Sequence, residues 1–128
     1  MRYLLDSHTL MWALESPLKL AAGARRIVED PQAELLLSIA TPWEFAIKSN
    51  LNKLDARKIL EQFEQLIASG GFELLDTEVS HVIRSGMLPW HHKDPFDRLL
   101  AAQALELRIP MVSRDRIFDL YGVSRVWA

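Results

Sequence analysis

A chain of 128 residues, 49% of them hydrophobic and 25% charged, has room for one globular domain with a core of its own, but not comfortably for two. It contains no cysteine, which excludes a disulfide framework and a thiolate metal site. A net charge of −2 excludes a surface that grips nucleic acid through bulk positive charge alone. No apolar run approaches the roughly 20 residues that cross a bilayer, and the N-terminus lacks a basic segment leading into a signal-like core. The expectation is a single domain over residues 1–128, in the cytoplasm and away from membranes.

In chain order, Met1–Leu5 reads as a short strand ending at Asp6-Ser7. His8–Leu14 reads as a helix that Ser16-Pro17 breaks. Leu20–Asp30 has helical spacing, and Glu34–Ile39 carries the continuous apolar run of a strand buried on both faces. Thr41-Pro42-Trp43-Glu44 opens a helix through Phe45, Ile47 and Leu51. Asp55–Ala68 is amphipathic, with Ile59, Leu60, Phe63, Leu66 and Ile67 on one face. A strand at Phe72–Leu75 and a short helix at Thr77–Ser85 follow. The stretch Trp90–Leu105 contains the clearest start signal, with Asp94 as N-cap, Pro95 at the first helical position and Asp97 two residues on. Ile109–Ser113 is a strand, Asp115–Tyr121 a helix and Val123–Trp127 a last strand. Strands alternating with helices predict an α/β fold with an open, mainly parallel sheet of four to five strands and helices on both faces.

The acids follow one grammar. Asp6, Glu44 and Asp115 come shortly after strands, and Asp97 opens the central helix, so all four fall near helix starts. In a parallel α/β sheet the carboxyl ends of the strands gather along one edge, where ligands bind. A simpler account is that each acid caps a helix, worth about 0.3–1 kcal/mol apiece, with Thr41 and Glu44 forming a capping box. Four carboxylates converging on one edge need more than caps. They need a cation or shared protons, and an all-oxygen cluster suits Mg²⁺ or Mn²⁺.

Leu4-Leu5-Asp6-Ser7-His8, Trp43-Glu44-Phe45-Ala46-Ile47-Lys48, Asp94-Pro95-Phe96-Asp97-Arg98-Leu99-Leu100-Ala101 and Val112-Ser113-Arg114-Asp115 resemble the successive motifs of the PIN domain family, and within it the VapC-type toxins. The resemblance covers essentially the whole chain. It implies a three-layer α/β/α fold and a metal-dependent ribonuclease in which Asp6, Glu44, Asp97 and Asp115 are the acidic quartet. Asp6, Asp97 and Asp115 would hold one or two Mg²⁺ or Mn²⁺ ions, with Glu44 as ligand or orienter of a water activated for in-line attack on the phosphate. It also implies an RNA substrate, a cognate antitoxin and a homodimer. The helices at Leu20–Asp30 and Asp55–Ala68 offer faces that could line a groove for a partner.

Around the quartet, Ser7, Asp94 and Ser113 are candidate supporting residues, Asp94 first of all as an N-cap. Thr9 reads as a cap of the first helix. Lys48, Arg98, Arg114 and Arg116 could meet phosphates, although each is as readily an ion-pair partner of the acids. His91 and His92 read as a solvated loop, with RNA contact as the second reading of His92. Trp12, Trp43 and Trp90 read as core or pocket wall. Two rival readings stand beside the nuclease: an Mg²⁺-binding phosphoacceptor signalling domain and an inactive binding module on the same fold. The first wants an acid pair after the first strand, where Asp6 stands alone, and a Lys after a late strand, where none occurs beyond Lys93.

Overall fold

The structure is a computed structural model that describes residues 1–128. Five strands, β1 (Arg2–Leu5), β2 (Glu34–Ser38), β3 (Phe72–Leu75), β4 (Met111–Val112) and β5 (Arg125–Val126), form one parallel sheet in the order β3-β2-β1-β4-β5. Leu5 lies beside Leu37 on one side and beside Val112 on the other, while Leu4 lies between Leu36 and Met111. Successive residues of a strand face opposite ways. Leu5, Leu35, Leu37 and Val112 therefore enter one core, and Leu4, Leu36 and Met111 the other. This is why the strands are continuously apolar rather than alternating. The expected three-layer α/β/α architecture is present.

The first core is covered by α1 (Ser7–Glu15), α2 (Ala22–Glu29), α3 (Ala40–Asn50), α4 (Arg57–Glu61) and α5 (Phe63–Ser69), which contribute Leu10, Ala24, Phe45, Ile59, Phe63 and Ile67. The second is covered by α7 (Pro95–Leu107), through Leu100, Ala101 and Ala104, and by a 3-10 helix, Arg116–Tyr121, through Phe118. Helix α6 (Val79–Met87) packs on α7. Its other face leaves Val79, Val82, Ile83 and Met87 exposed. No helix is long and apolar enough to cross a membrane.

Three elements depart from the sequence expectation. The helix expected over Asp55–Ala68 is two, interrupted at Gln62, whose φ of −127° and ψ of 30° are non-helical. The Gln62 N–H closes α4 with a tight bond to the Ile59 carbonyl, yet Ile59, Phe63 and Ile67 all stay buried, so the apolar period runs through the break unaltered. The helix expected over Thr77–Ser85 starts at Val79, because Glu78 and His81 form a reciprocal cap: the Glu78 carboxylate accepts from the His81 N–H, and His81 Nδ1 accepts from the Glu78 N–H at 3.0 Å. The helix expected over Asp115–Tyr121 is the tighter 3-10 form, ended by Gly122 at φ 78°.

Helix α2 has no side-chain cap; instead the Ala24 N–H donates to the Trp127 carbonyl at 2.8 Å. The C-terminal residues thereby lie against the first turn of α2, so closely that a Cβ on Gly23 would sit 2.3 Å from the Ala128 oxygen. Gly23→Ala should therefore destabilise the protein by roughly 1–3 kcal/mol in urea unfolding, the usual cost of overpacking. Gly86→Ala, where nothing lies within 4 Å, should be neutral or stabilising. Equal stabilities for the two variants would contradict this packing.

Candidate metal centre

Strand β1 is the point from which the chain builds outward in both directions, to β2 and β3 on one side and to β4 and β5 on the other. In such sheets the crevice beyond the carboxyl ends at the reversal is open to a ligand. Asp6 follows β1 directly and Ser113 follows β4. The buried Ser113 hydroxyl donates to Asp6 Oδ2 at 2.5 Å across 107 positions of sequence. Asp6 Oδ1 caps α1 by accepting the Thr9 N–H at 2.9 Å. Ser113 Oγ in turn accepts the Asp115 N–H at 3.0 Å, and the Asp115 carboxylate caps the 3-10 helix at the Ile117 N–H. Thr9 is not a cap: its hydroxyl donates to the Val112 carbonyl at 3.0 Å and ties α1 to β4.

Glu44 reaches the same edge from α3. That helix begins at Ala40, helped by Ser38 Oγ accepting the Ala40 N–H, so Glu44 lies beyond its first turn. The capping box does not form; Thr41 Oγ1 is buried without a partner. Glu44 is 3% exposed, its Oε2 accepts Lys48 Nζ at 2.6 Å, and its Oε1 has no donor. Lys48 also reaches Asp94 Oδ2 at 3.4 Å. Burial lowers the proton affinity of Lys48, but Glu44 and then Asp94 more than offset this and leave it above the ordinary lysine value. Asp94 is the N-cap of α7, accepting the Phe96 N–H at 2.8 Å and the Asp97 N–H at 3.3 Å.

Asp97, on the first turn of α7, feels three of these carboxylates. Burial first, then the charges of Asp94, Glu44 and Asp6, raise its carboxyl to about 7, against the pull of a hydrogen bond from His92. His92 Nε2 is 2.7 Å from Asp97 Oδ2, so His92 belongs to the cluster rather than to a solvated loop. The cluster is thus not all-oxygen, and the signal for its histidine was only adjacency to Asp94-Pro95. Donor atoms of His92, Asp97 and Asp115 lie within 4.8 Å of one another. A nearly buried carboxylate oxygen without a donor, and a carboxyl group that its neighbours force towards neutrality, are what an acidic cluster short of one cation looks like. The carboxylate oxygens of the group fit a hard ion such as Mg²⁺ or Mn²⁺, while the His92 nitrogen is engaged by Asp97.

Arg98 is not a phosphate ligand. It is 2% exposed, and its guanidinium donates to the carbonyls of Ser85, Leu88, Pro89 and His92. The Trp90 ring lies 3.8 Å over it and is itself exposed, as is Trp43, which stands edge-on to Phe96; neither is core. Trp12 is partly buried between His8 and Trp127, and His91 packs edge-on to Tyr121. Ser7 is buried beside Glu44 and Lys48 in a cavity of about 220 Å³. Arg114 and Arg116 are exposed and share a cavity of about 420 Å³ with Asp6, Asp115, His8 and Trp12. The largest concavity, about 580 Å³, is lined by Arg114, Arg116 and Arg125 with the C-terminal residues and contains none of the acids.

A parallel α/β sheet with carboxylates gathered at its reversal point defines the class. The sequence profile of the PIN domain matches residues 3–123, and the chain belongs to the PIN domain family. Its fold is similar to that of a chain of the VapBC2 complex from Rickettsia felis bound to a DNA fragment from its promoter (TM-score 0.73, 14% identity, 100% of both chains). It is also similar to VapBC-1 from nontypeable Haemophilus influenzae (TM-score 0.69, 18% identity, 98% of this chain and 97% of that one). A toxin–antitoxin complex from Klebsiella pneumoniae gives a TM-score of 0.62 at 18% identity, covering 97% and 95%. No curated protein sequence matches the chain.

Two outcomes follow from this geometry. Asp97 has a folded proton affinity of about 7 against 3.8 for the free group, so its ionisation costs stability as pH rises through that interval. Metal-free protein should lose roughly 1–3 kcal/mol between pH 5 and pH 8 in chelator-treated denaturation curves, and Asp97→Asn should flatten the profile and be the more stable form at pH 8. A parallel profile in the variant would place the titration elsewhere. Arg98→Lys, which cannot reproduce the guanidinium fork, should cost about 2–4 kcal/mol in the same assay. A loss of RNA affinity without a loss of stability would restore Arg98 as a surface ligand.

Proposed function

We propose that this chain is a divalent-metal-dependent endoribonuclease acting as the toxin of a toxin–antitoxin pair. The observation that carries the reading is the gathering of donor atoms of His92, Asp97 and Asp115 within 4.8 Å, at the sheet edge where the buried Glu44 Oε1 has no donor. That crowding also raises the Asp97 carboxyl. Membership of the PIN domain family and the likeness of the fold to toxin–antitoxin structures support it. Asp6, Asp97 and Asp115 would hold Mg²⁺ or Mn²⁺, and Glu44 would either complete the set or orient a water. When bound, the ion supplies an activated water and positive charge for the scissile phosphate.

The other residues act on geometry and charge. Ser113 holds Asp6 in place from β4, and Asp94 fixes the first turn of α7 under Asp97. Lys48 neutralises part of the Glu44–Asp94 pair. Arg114 and Arg116, exposed and flanking Asp115, form no ion pair and are the free cations for the RNA backbone. Beside the RNA, this reading carries a cognate antitoxin and a homodimer. The exposed apolar stripe Val79, Val82, Ile83 and Met87 supports a protein partner on α6.

The test is cleavage of a structured RNA pool by purified protein with Mn²⁺, Mg²⁺ or chelator. Wild type should cleave only with metal and leave 5′-phosphates. Asp97→Asn should lose at least about 10²-fold in rate while keeping its fold by circular dichroism. Chelator-resistant cleavage, or an undiminished Asp97→Asn variant, would remove the metal nuclease.

A further inference from the structure

Of all the groups near the acids, His92 touches Asp97 most directly, with Nε2 and Oδ2 2.7 Å apart. What it does there depends on where its proton sits. The Asp94 N–H points at Nδ1 from the other side of the ring, at 3.4 Å. A nitrogen that accepts a hydrogen bond carries no proton, so the neutral ring bears its N–H on Nε2, facing the carboxylate.

The main chain at His92 is also fixed on both of its polar groups. Its N–H donates to the Tyr121 hydroxyl at 2.9 Å, and its carbonyl accepts from Arg98 at 3.3 Å. Tyr121 donates in turn to the Pro89 carbonyl at 2.8 Å, and Arg98 gathers Ser85, Leu88 and Pro89 behind it. A buried arginine with its donors spent on the last turn of α6 and the loop after it is a costly device for a segment with nothing to present. What the segment presents is the imidazole.

We propose that His92 is a positioning residue of the metal centre: its Nε2–H holds Asp97 Oδ2, sets the rotation of that carboxylate and leaves Oδ1 free for an ion. The inference rests on the metal reading above. Direct ligation by Nε2 is the competing arrangement, since the donor atoms of His92, Asp97 and Asp115 lie within 4.8 Å. It would move the proton to Nδ1, where the Asp94 N–H would meet a donor instead of an acceptor. The hydrogen bonds therefore favour the outer role, one that in metal sites is worth about 10–100-fold in affinity.

Mn²⁺ titration followed by electron paramagnetic resonance, on wild type, His92→Ala and His92→Gln, tests this without any RNA. His92→Ala should bind Mn²⁺ about 10–100-fold more weakly at an unchanged melting temperature, and His92→Gln, which keeps an N–H donor, should recover most of the loss. The wild-type spectrum should show no directly coordinated ¹⁴N. Wild-type affinity in His92→Ala, no recovery in His92→Gln, or a coordinated nitrogen would each overturn the positioning role while leaving the metal centre standing. Failure of wild type itself to bind Mn²⁺ would overturn both.

Discussion

The constraint on which this structure turns is the mutual repulsion of carboxylates held at one sheet edge. Two such groups about 4 Å apart repel by about 4 kcal/mol at an effective dielectric of 20. Most of the oxygens are met by a donor: Asp6 by the Thr9 N–H and Ser113, Asp94 by two helix N–H groups and Lys48, Asp115 by the Ile117 N–H, Asp97 by His92. Hydrogen bonds reduce the repulsion but bring little positive charge, and only Lys48 brings a full one. The shortfall is visible at Glu44 Oε1, which has no donor, and at Asp97, whose proton is held far more tightly than usual.

Capping and site-building are therefore not alternatives in this fold. Asp6 and Asp115 each give one oxygen to a helix start, and both still line the crevice. Asp94 works one step back: by capping α7 it orients the turn that carries Asp97. Only Glu44 does without a helix end. It is held by Lys48 one turn further along α3 instead.

How much of this was legible in the sequence follows from what kind of signal each part leaves. Continuous apolar runs at Leu4-Leu5 and Leu35–Leu37 foretell burial on two faces, and Asp94-Pro95 foretells the start of α7, because both depend on residues adjacent in the chain. The break at Gln62 was invisible, since it leaves the buried row Ile59, Phe63 and Ile67 intact. The start of α6 was misplaced because Glu78 and His81 make a box from residue types outside the usual pattern. At the site, Asp6, Glu44 and Asp115 announced themselves by position after strands, and Asp97 by the Asp94-Pro95 helix start. Arg98 and His92 did not, because their roles are set by carbonyls and a ring orientation supplied by the Ser85–Lys93 segment, and a charged residue in a sequence does not say whether it will be buried.

The bond between Asp6 and Ser113 also has a bearing on when the centre can exist. Chains are made from the N-terminus, and the first strand, the second and the helices between them emerge well before β4. Until Ser113 arrives, the second oxygen of Asp6 lacks its donor, the crevice lacks its far wall, and Asp115 has not been made. A nascent or prematurely ended chain is therefore a scaffold without a centre. Any ion-binding capacity of this edge would await the pairing of β4 with β1, where Leu4 meets Met111 and Leu5 meets Val112.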